Sequence, residues 1–294
     1  MCAYKIVTDT ASDIFSSIID HSVIPRVPFY VTFDKENYYK EIIEMSIDDF
    51  YGKIRSDKAY PNTSQPVIAD YISVFEPILN EGFDILCFSI SSLFSGSYQS
   101  AVNAASLMNE KYPDRKIIAI DSLQATGGMG LIVYQAHLMH EAGYTIEENA
   151  AAVEKIKHET AINWTVGSLD FLQHGGRIGK SAALAGTIFN VKPIICMKEG
   201  ELFPVENVRG TKKAIHAILD KTDREIQGCE SDYYMTMFYA DDHNPAMDII
   251  EQHYSDPKYT FIKNICRIGV TIGAHTGPHV MALAYSKKYT SYNK

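Results

Sequence analysis

The chain has 294 residues, 46% hydrophobic and 21% charged, with a net charge of −9 and a pI of about 5.6. That composition is a soluble globular one with ample apolar mass for a core, and the length favours two domains. The acidic balance excludes non-specific nucleic-acid binding and docking on anionic lipid, and no apolar run reaches the length that spans a bilayer.

Residues 4–7 read as a short strand that runs into Thr8-Asp-Thr-Ala-Ser-Asp13. Hydroxyls and acids there mark the start of a helix carrying Ile14 and Phe15. Residues 27–33 alternate and are rich in β-branched and aromatic side chains, which predicts a strand. Residues 38–43 show no clear period. Ser46 as N-cap opens a short helix over 47–54. Asn62-Thr-Ser-Gln-Pro66 predicts a turn, with Pro66 in the first turn of a helix over 67–79.

The stretch 84–101 organises the rest. Residues 85–90 are an apolar run of the kind that is buried on both faces of a parallel sheet. Five serines and one glycine then fall within 91–100. From Ser97, the residues Tyr98, Ala101, Ala104, Ala105, Leu107 and Met108 recur at helical spacing. Strand, hydroxyl-rich turn and helix N-terminus together aim free amides, the positive end of the helix dipole and hydroxyls at one place, which suits a small anion or polar head group. Capping the helix would use only one or two of those hydroxyls.

Residues 116–120 form another buried strand ending in Asp121-Ser122. Gly127-Gly128 opens a long apolar helix to His140, and Thr145 caps a helix over 146–159. The repeated strand, turn and helix predict a parallel α/β sheet with right-handed crossovers. Ligands of such sheets sit beyond the carboxyl ends of the strands, where the turns after 4–7, 85–90 and 116–120 all fall. The pattern changes near residue 160. Strands are expected at 163–166, 233–239, 261–268 and 280–285, and helices at 169–173, 182–189, 211–220 and 246–254. A hairpin is expected over 192–197 and 202–205. His174-Gly-Gly-Arg-Ile-Gly-Lys180 and Ile272-Gly-Ala-His-Thr-Gly-Pro278 read as glycine-rich turns. The fold class is therefore α/β, with a parallel-sheet domain over 1–160 and a mixed-sheet domain over 161–294.

Several chemistries are missing from the sequence. Ser95 lacks the glycine two residues before it that a Gly-x-Ser-x-Gly elbow needs. Neither His140-Glu141 nor His158-Glu159 continues into a zincin motif, and there is no Walker A lysine. Asp241-Asp242-His243 reads as an exposed turn, and His174 and His275 lack nearby partners for a metal. A Ser–His–Asp triad drawing on Ser95 and His275 remains the enzymatic alternative. The cysteines at 2, 87, 196, 229 and 266 are scattered, and they predict reduced, mostly buried thiols in a cytoplasmic protein. The start of the sequence lacks a basic and apolar leader, which points the same way.

Taken in order, these turns resemble a known family. Thr8-Asp-Thr-Ala-Ser-Asp13, Thr63-Ser-Gln-Pro66, Leu93-Phe-Ser-Gly-Ser-Tyr-Gln-Ser-Ala101 and Asp121-Ser122 with Gly127-Gly128 are followed by Gly175-Gly-Arg-Ile178, Lys192-Pro-Ile194, Val208-Arg-Gly-Thr-Lys-Lys213 and Gly273-Ala-His-Thr-Gly-Pro278. The chain resembles the DegV family, which includes the fatty-acid-binding subunits of bacterial fatty acid kinase. Phe94 stands where the family usually has leucine, Ser97 where threonine is common, and His279 where glycine is frequent. The resemblance implies two α/β domains with a long-chain fatty acid between them. It implies that Thr63, Ser95 and Gly96 bind the carboxylate with His275 close by, and that Arg177 and Arg209 serve the head group and docking to the partner. A separate kinase subunit would bring ATP and phosphorylate the bound acid to an acyl phosphate. This chain would then carry no catalytic residue, metal or cofactor of its own, and it would feed phospholipid synthesis. A hydrolase or acyltransferase at Ser95 and a lipid sensor without a kinase partner stand as the other readings.

Overall fold

The computed structural model describes residues 3–14, 19, 23–57, 59–184, 190–241, 247–263 and 267–293. In chain order, β1 (Tyr4–Asp9), β2 (Arg26–Val27), β3 (Tyr30–Thr32), β4 (Tyr39–Lys40), α1 (Ile47–Asp57), β5 (Asn62–Ser64) and α2 (Ile68–Asn80) come first. They are followed by β6 (Asp84–Ser89), α3 (Ser97–Lys111), β7 (Ile117–Asp121), α4 (Thr126–Glu141) and α5 (Ile146–Ile156). After these come β8 (Thr160–Thr165), α6 (Asp170–His174), β9 (Val191–Lys198), β10 (Glu201–Arg209), α7 (Thr211–Ile226), β11 (Tyr233–Tyr239), α8 (Met247–His253), β12 (Thr260–Phe261), α9 (Val270–Thr276) and β13 (Met281–Lys287).

The strands make a parallel sheet in the order β2-β1-β6-β7, a mixed sheet in the order β10-β9-β8-β13-β11-β12, and a small antiparallel sheet in the order β4-β3-β5. This is the expected α/β class. Apolar burial stacks them in layers. One face of the parallel sheet carries Val7, Ile85 and Cys87 against Tyr71 and Phe75 of α2 and Ala101 and Ala104 of α3. Its other face, with Ile6, Leu86 and Phe88, packs on α4 and α5, and these share one core with Ile162, Trp164, Phe238 and Ala282 of the mixed sheet. The far face of the mixed sheet is closed by Ile215 and Leu219 of α7 and Ile250 of α8. Every residue of β6 is buried, the apolar run 85–88 together with Asp84 and Ser89 at its ends.

Several local expectations change. Residues 27–33 are two strands in different sheets, because Pro28 has no amide to carry a ladder onward. Residues 62–64 are not a turn but β5, paired with β3. Pro66 precedes the helix, whose N-cap is Val67. Leu107 is 49% exposed and so leaves the buried stripe of α3. The strand expected over 261–268 covers only Thr260–Phe261 among the described residues. The segment 272–278 is largely helix α9, ended by Gly277 at φ 77, where a left-handed residue closes the last turn. Gly179–Leu184 is a 3-10 turn, and the rest of the helix expected over 182–189 lies outside the described residues, as do Phe15, Ala246, Asp242 and His243. Cys87 and Cys196 are buried free thiols and Cys229 is half-buried, while Cys2 and Cys266 are also outside the described residues.

Candidate functional site

The carboxyl ends of the parallel strands are tied to one another by their own polar residues. Asp9, at the end of β1, accepts from the Ile90 amide at 3.0 Å and the Ser97 hydroxyl at 2.8 Å. Asp121, at the end of β7, accepts from the Ser92 amide at 3.2 Å. Burial outweighs those donors at Asp9 and pushes its carboxyl up to about 7. The serine-rich turn is thus mostly scaffold. Ser91 donates to the Gly200 carbonyl in the hairpin between β9 and β10, Ser97 is held by Asp9 and Tyr71, and Ser100 accepts from Gln65. Ser95 is the serine of this turn that reaches the cavity beside it. It accepts from the Ser97 amide at 3.2 Å, which leaves its O–H free to donate.

That cavity has a volume of about 390 Å³, within the range of small-molecule sites. Its interior is apolar, walled by Phe29, Ile90, Ile162, Trp164, Met197 and Phe238. Thr63, Ser95, Arg177 and His275 line its polar end. Strand β5 supplies Thr63, the turn before α3 supplies Ser95, the turn after α6 supplies Arg177, and the last turn of α9 supplies His275. Thr126 also lines the cavity and holds φ at 42, a rare backbone state for a β-branched residue, at the start of α4.

Thr63 Oγ1 and His275 Nε2 are 2.8 Å apart. Burial, then the nearby Arg177 charge, lowers the His275 pKa to about 4, so the ring is neutral at pH 7. A neutral imidazole carries one N–H. With that proton on Nε2, His275 donates to Thr63, and the Thr63 hydroxyl proton is free to point into the cavity. Thr63 and Ser95 then offer two O–H donors at one end of an apolar chamber. Arg177 adds positive charge there, braced by donating to the Gly175 carbonyl at 2.6 Å and the Phe94 carbonyl at 3.3 Å.

Gly96 and Arg209 do not line the cavity. The Gly96 amide donates instead to Gln65 Oε1 at 2.8 Å, and Arg209 is exposed at the end of β10. Phe94 lines the chamber, and the Ser97 hydroxyl donates to Asp9. His279 is not among the non-glycine residues with positive φ, so its backbone does not require the glycine frequent there. Ser95 and His275 are not hydrogen-bonded to each other: His275 Nε2 is engaged with Thr63, and its Nδ1 has no partner among the described residues. The pairing of nucleophile and base that a hydrolase needs is therefore not formed. Among the described residues no cluster could hold a metal ion, and no helix is long and apolar enough to cross a membrane.

Gly175 is held to its identity by His275, since a Cβ there would overlap the ring at Nδ1. Gly175→Ala is expected to displace the imidazole and cost about 1–3 kcal/mol of stability, as overpacking does. Thermal melting together with loss of the His275–Thr63 contact by NMR checks this, and an unmoved ring would refute it.

The family model for DegV, an uncharacterised-protein family, matches residues 3–288. The chain belongs to the DegV family. A DegV domain-containing protein of Clostridium acetobutylicum is 30% identical over 287 residues, covering 97% of this chain and 99% of its own. Among solved DegV-like structures, a stearic acid-binding protein from Eubacterium ventriosum superposes with a TM-score of 0.92 at 33% identity, covering 98% of this chain and 99% of its own. A fatty-acid-binding DegV protein from Thermus thermophilus gives a TM-score of 0.86 at 28% identity, with 98% and 100% covered.

Proposed function

We propose that this protein binds one long-chain fatty acid, with the acyl tail in the apolar chamber and the carboxylate at Thr63 and Ser95. The observation that carries this reading is the chamber itself, lined mostly by apolar side chains, with Thr63, Ser95 and a neutral imidazole brought together in it. A carboxylate needs donors, and charge-assisted hydrogen bonds are the strong kind. A tail of about 15 methylenes, at about 0.8 kcal/mol each, supplies on the order of 12 kcal/mol before the costs of binding, so a modest polar end suffices. Relatives that bind stearic and other fatty acids support the ligand class. In this reading the ligand lies between two domains, 1–160 and 161–294, and the protein works in the cytoplasm.

In the same reading the protein does not transform the acid. It presents the carboxylate to a separate kinase subunit, which transfers phosphate from ATP to give an acyl phosphate. Arg177 lies at the mouth to meet the carboxylate or the new phosphate, and a guanidinium suits either by paired hydrogen bonds. Arg209 stands outside the chamber and serves docking.

The test has two parts. Mass spectrometry of ligand extracted from the purified, denatured protein is expected to show a free long-chain fatty acid. Empty protein that also fails to take up stearate sinks the reading, and an acyl adduct on Ser95 would favour a hydrolase. With the kinase subunit supplied, Arg209→Ala is expected to keep stearate affinity and lose acyl phosphate formation. Activity of this chain with ATP alone would overturn the division of labour.

A further inference from the structure

Two carboxylates lie buried outside the cavity, where neither touches the ligand space. Glu41 is 1% exposed and Asp13 is 7% exposed. They converge on the residue before α9. A Cβ on Gly269 would stand 2.5 Å from Asp13 Oδ1 and 2.6 Å from Glu41 Oε1, so both acids close around a position only glycine can fill. Glu41 gathers the donors. It accepts from the Thr10 hydroxyl at 2.6 Å, the Thr271 hydroxyl at 2.6 Å and the Thr271 amide at 3.1 Å. Asp13 Oδ2 has no partner among the described residues. Two acids this buried oppose each other's ionisation. Thr126, the Gly269 backbone and the Arg26 charge favour the Asp13 anion, but burial and Glu41 outweigh them, and the donors gathered on Glu41 make it the anion of the pair. Burial and the Glu41 charge hold the Asp13 carboxyl well above its usual range. The Thr271 amide that donates to Glu41 belongs to the first turn of α9.

The placement of Glu41 explains why a protein would keep a buried charge there. It directly follows β4, which pairs with β3, which in turn pairs with β5, the strand of Thr63. At its other end, α9 carries His275, bonded to Thr63. One small sheet thus grips both ends of one short helix, through Glu41 at its start and Thr63 at its end. A helix of seven residues is only about 10 Å long, so its tilt is set by those two attachments.

We propose that Glu41, with Asp13 beside it, is a positioning residue for the head-group end of the cavity: it anchors the start of α9 so that His275 meets Thr63. This rests on the fatty-acid reading of that cavity. A brace of the core alone would stabilise the fold without any preference for Thr63.

The test is a pair of double-mutant cycles read by stearate affinity, with the fold checked by urea unfolding. Glu41→Gln keeps the volume and one acceptor oxygen and removes the charge. It is expected to weaken stearate binding about tenfold, Thr63→Val about ten- to a hundredfold, and the double variant no more than Thr63→Val alone, because Glu41 acts only through the Thr63 contact. Glu41→Gln and Ser95→Ala are expected to combine in full. Additivity with Thr63→Val, or unchanged affinity in a folded Glu41→Gln protein, overturns the proposal. Should Glu41→Gln fail to fold, Thr10→Val, outside the cavity lining, removes one donor to Glu41 and carries the same cycles. The 15N shifts of His275 are read in ligand-free protein as well. Glu41→Gln is expected to move them as the Thr63 bond is lost, and unmoved shifts overturn the proposal whether or not stearate binds. A wild-type protein that does not bind stearate defeats the fatty-acid reading separately.

Discussion

Thr63→Val is expected to weaken fatty-acid binding by about ten- to a hundredfold, the worth of one hydrogen bond to a charged acceptor at about 1.5–3 kcal/mol. Valine keeps the β-branched shape that suits β5, and the pairing of Thr63 with Val31 is a backbone register, so the small sheet survives. Two donors are affected at once. The carboxylate loses the Thr63 hydroxyl, and the His275 Nε2–H loses its acceptor. An unsatisfied buried donor costs about 1–3 kcal/mol, so stability falls as well. Titration calorimetry with stearate and urea unfolding on the same variant separate the two effects. Unchanged affinity with reduced stability would make Thr63 a purely structural residue.

A second large effect concerns pH. The His275 pKa is lowered to about 4 from an ordinary value of 6.5. Between those values the unfolded chain binds a proton that the folded chain refuses, so stability falls as pH drops from about 6.5 to 4. A gap of that size corresponds to about 3 kcal/mol in full. Asp9 works in the opposite sense. Its carboxyl is raised to about 7, so the folded state holds that proton more tightly and gains stability as pH falls through the same window. The net curve of the wild type therefore hides the histidine. His275→Gln exposes it: the stability difference between wild type and variant is expected to shift by about 3 kcal/mol against the wild type from pH 7 to pH 4. A constant difference across that range would mean the imidazole titrates normally.

Much of the architecture was legible because burial writes itself into the sequence. The apolar run 85–88 in β6 and the small-residue stripe of α3 gave the boundary at Ser97, since the middle of a strand buried on both faces is apolar. The helix α9 was not legible. Gly273, Gly277 and the Thr276 hydroxyl between them read as a turn because local propensity disfavours a helix there. The helix is held instead by partners far away in sequence, Glu41 at 230 residues and Thr63 at 212. The small sheet was missed for the same kind of reason, since strands of two or three residues leave no period to count. Family motifs singled out Thr63, Ser95, Arg177 and His275, whereas residue reasoning alone reached the hydroxyl-rich turns at the strand ends and set Ser95 with His275 only as a hydrolase alternative. It overestimated the serine turn, since most of its hydroxyls hold the scaffold. Glu41 lies in a segment without any period, and nothing local marks it as buried. The chamber wall was invisible because its residues are ordinary core residues until a space opens among them.

The contact between Thr63 and His275 spans 212 positions of the chain. Closing a loop that long is paid in chain entropy before the contact returns anything, and contacts of such separation form late in folding. The strands of the parallel sheet all lie within residues 4–121, but the chamber takes walls from β8, β11 and β13 as well. The segment carrying α9 and β13 is made last on the ribosome, so the head-group end and part of the wall of the chamber are completed only with the final part of the chain. A ligand bound to the finished state alone then stabilises both halves together, by mass action, and links the unfolding of one to the other.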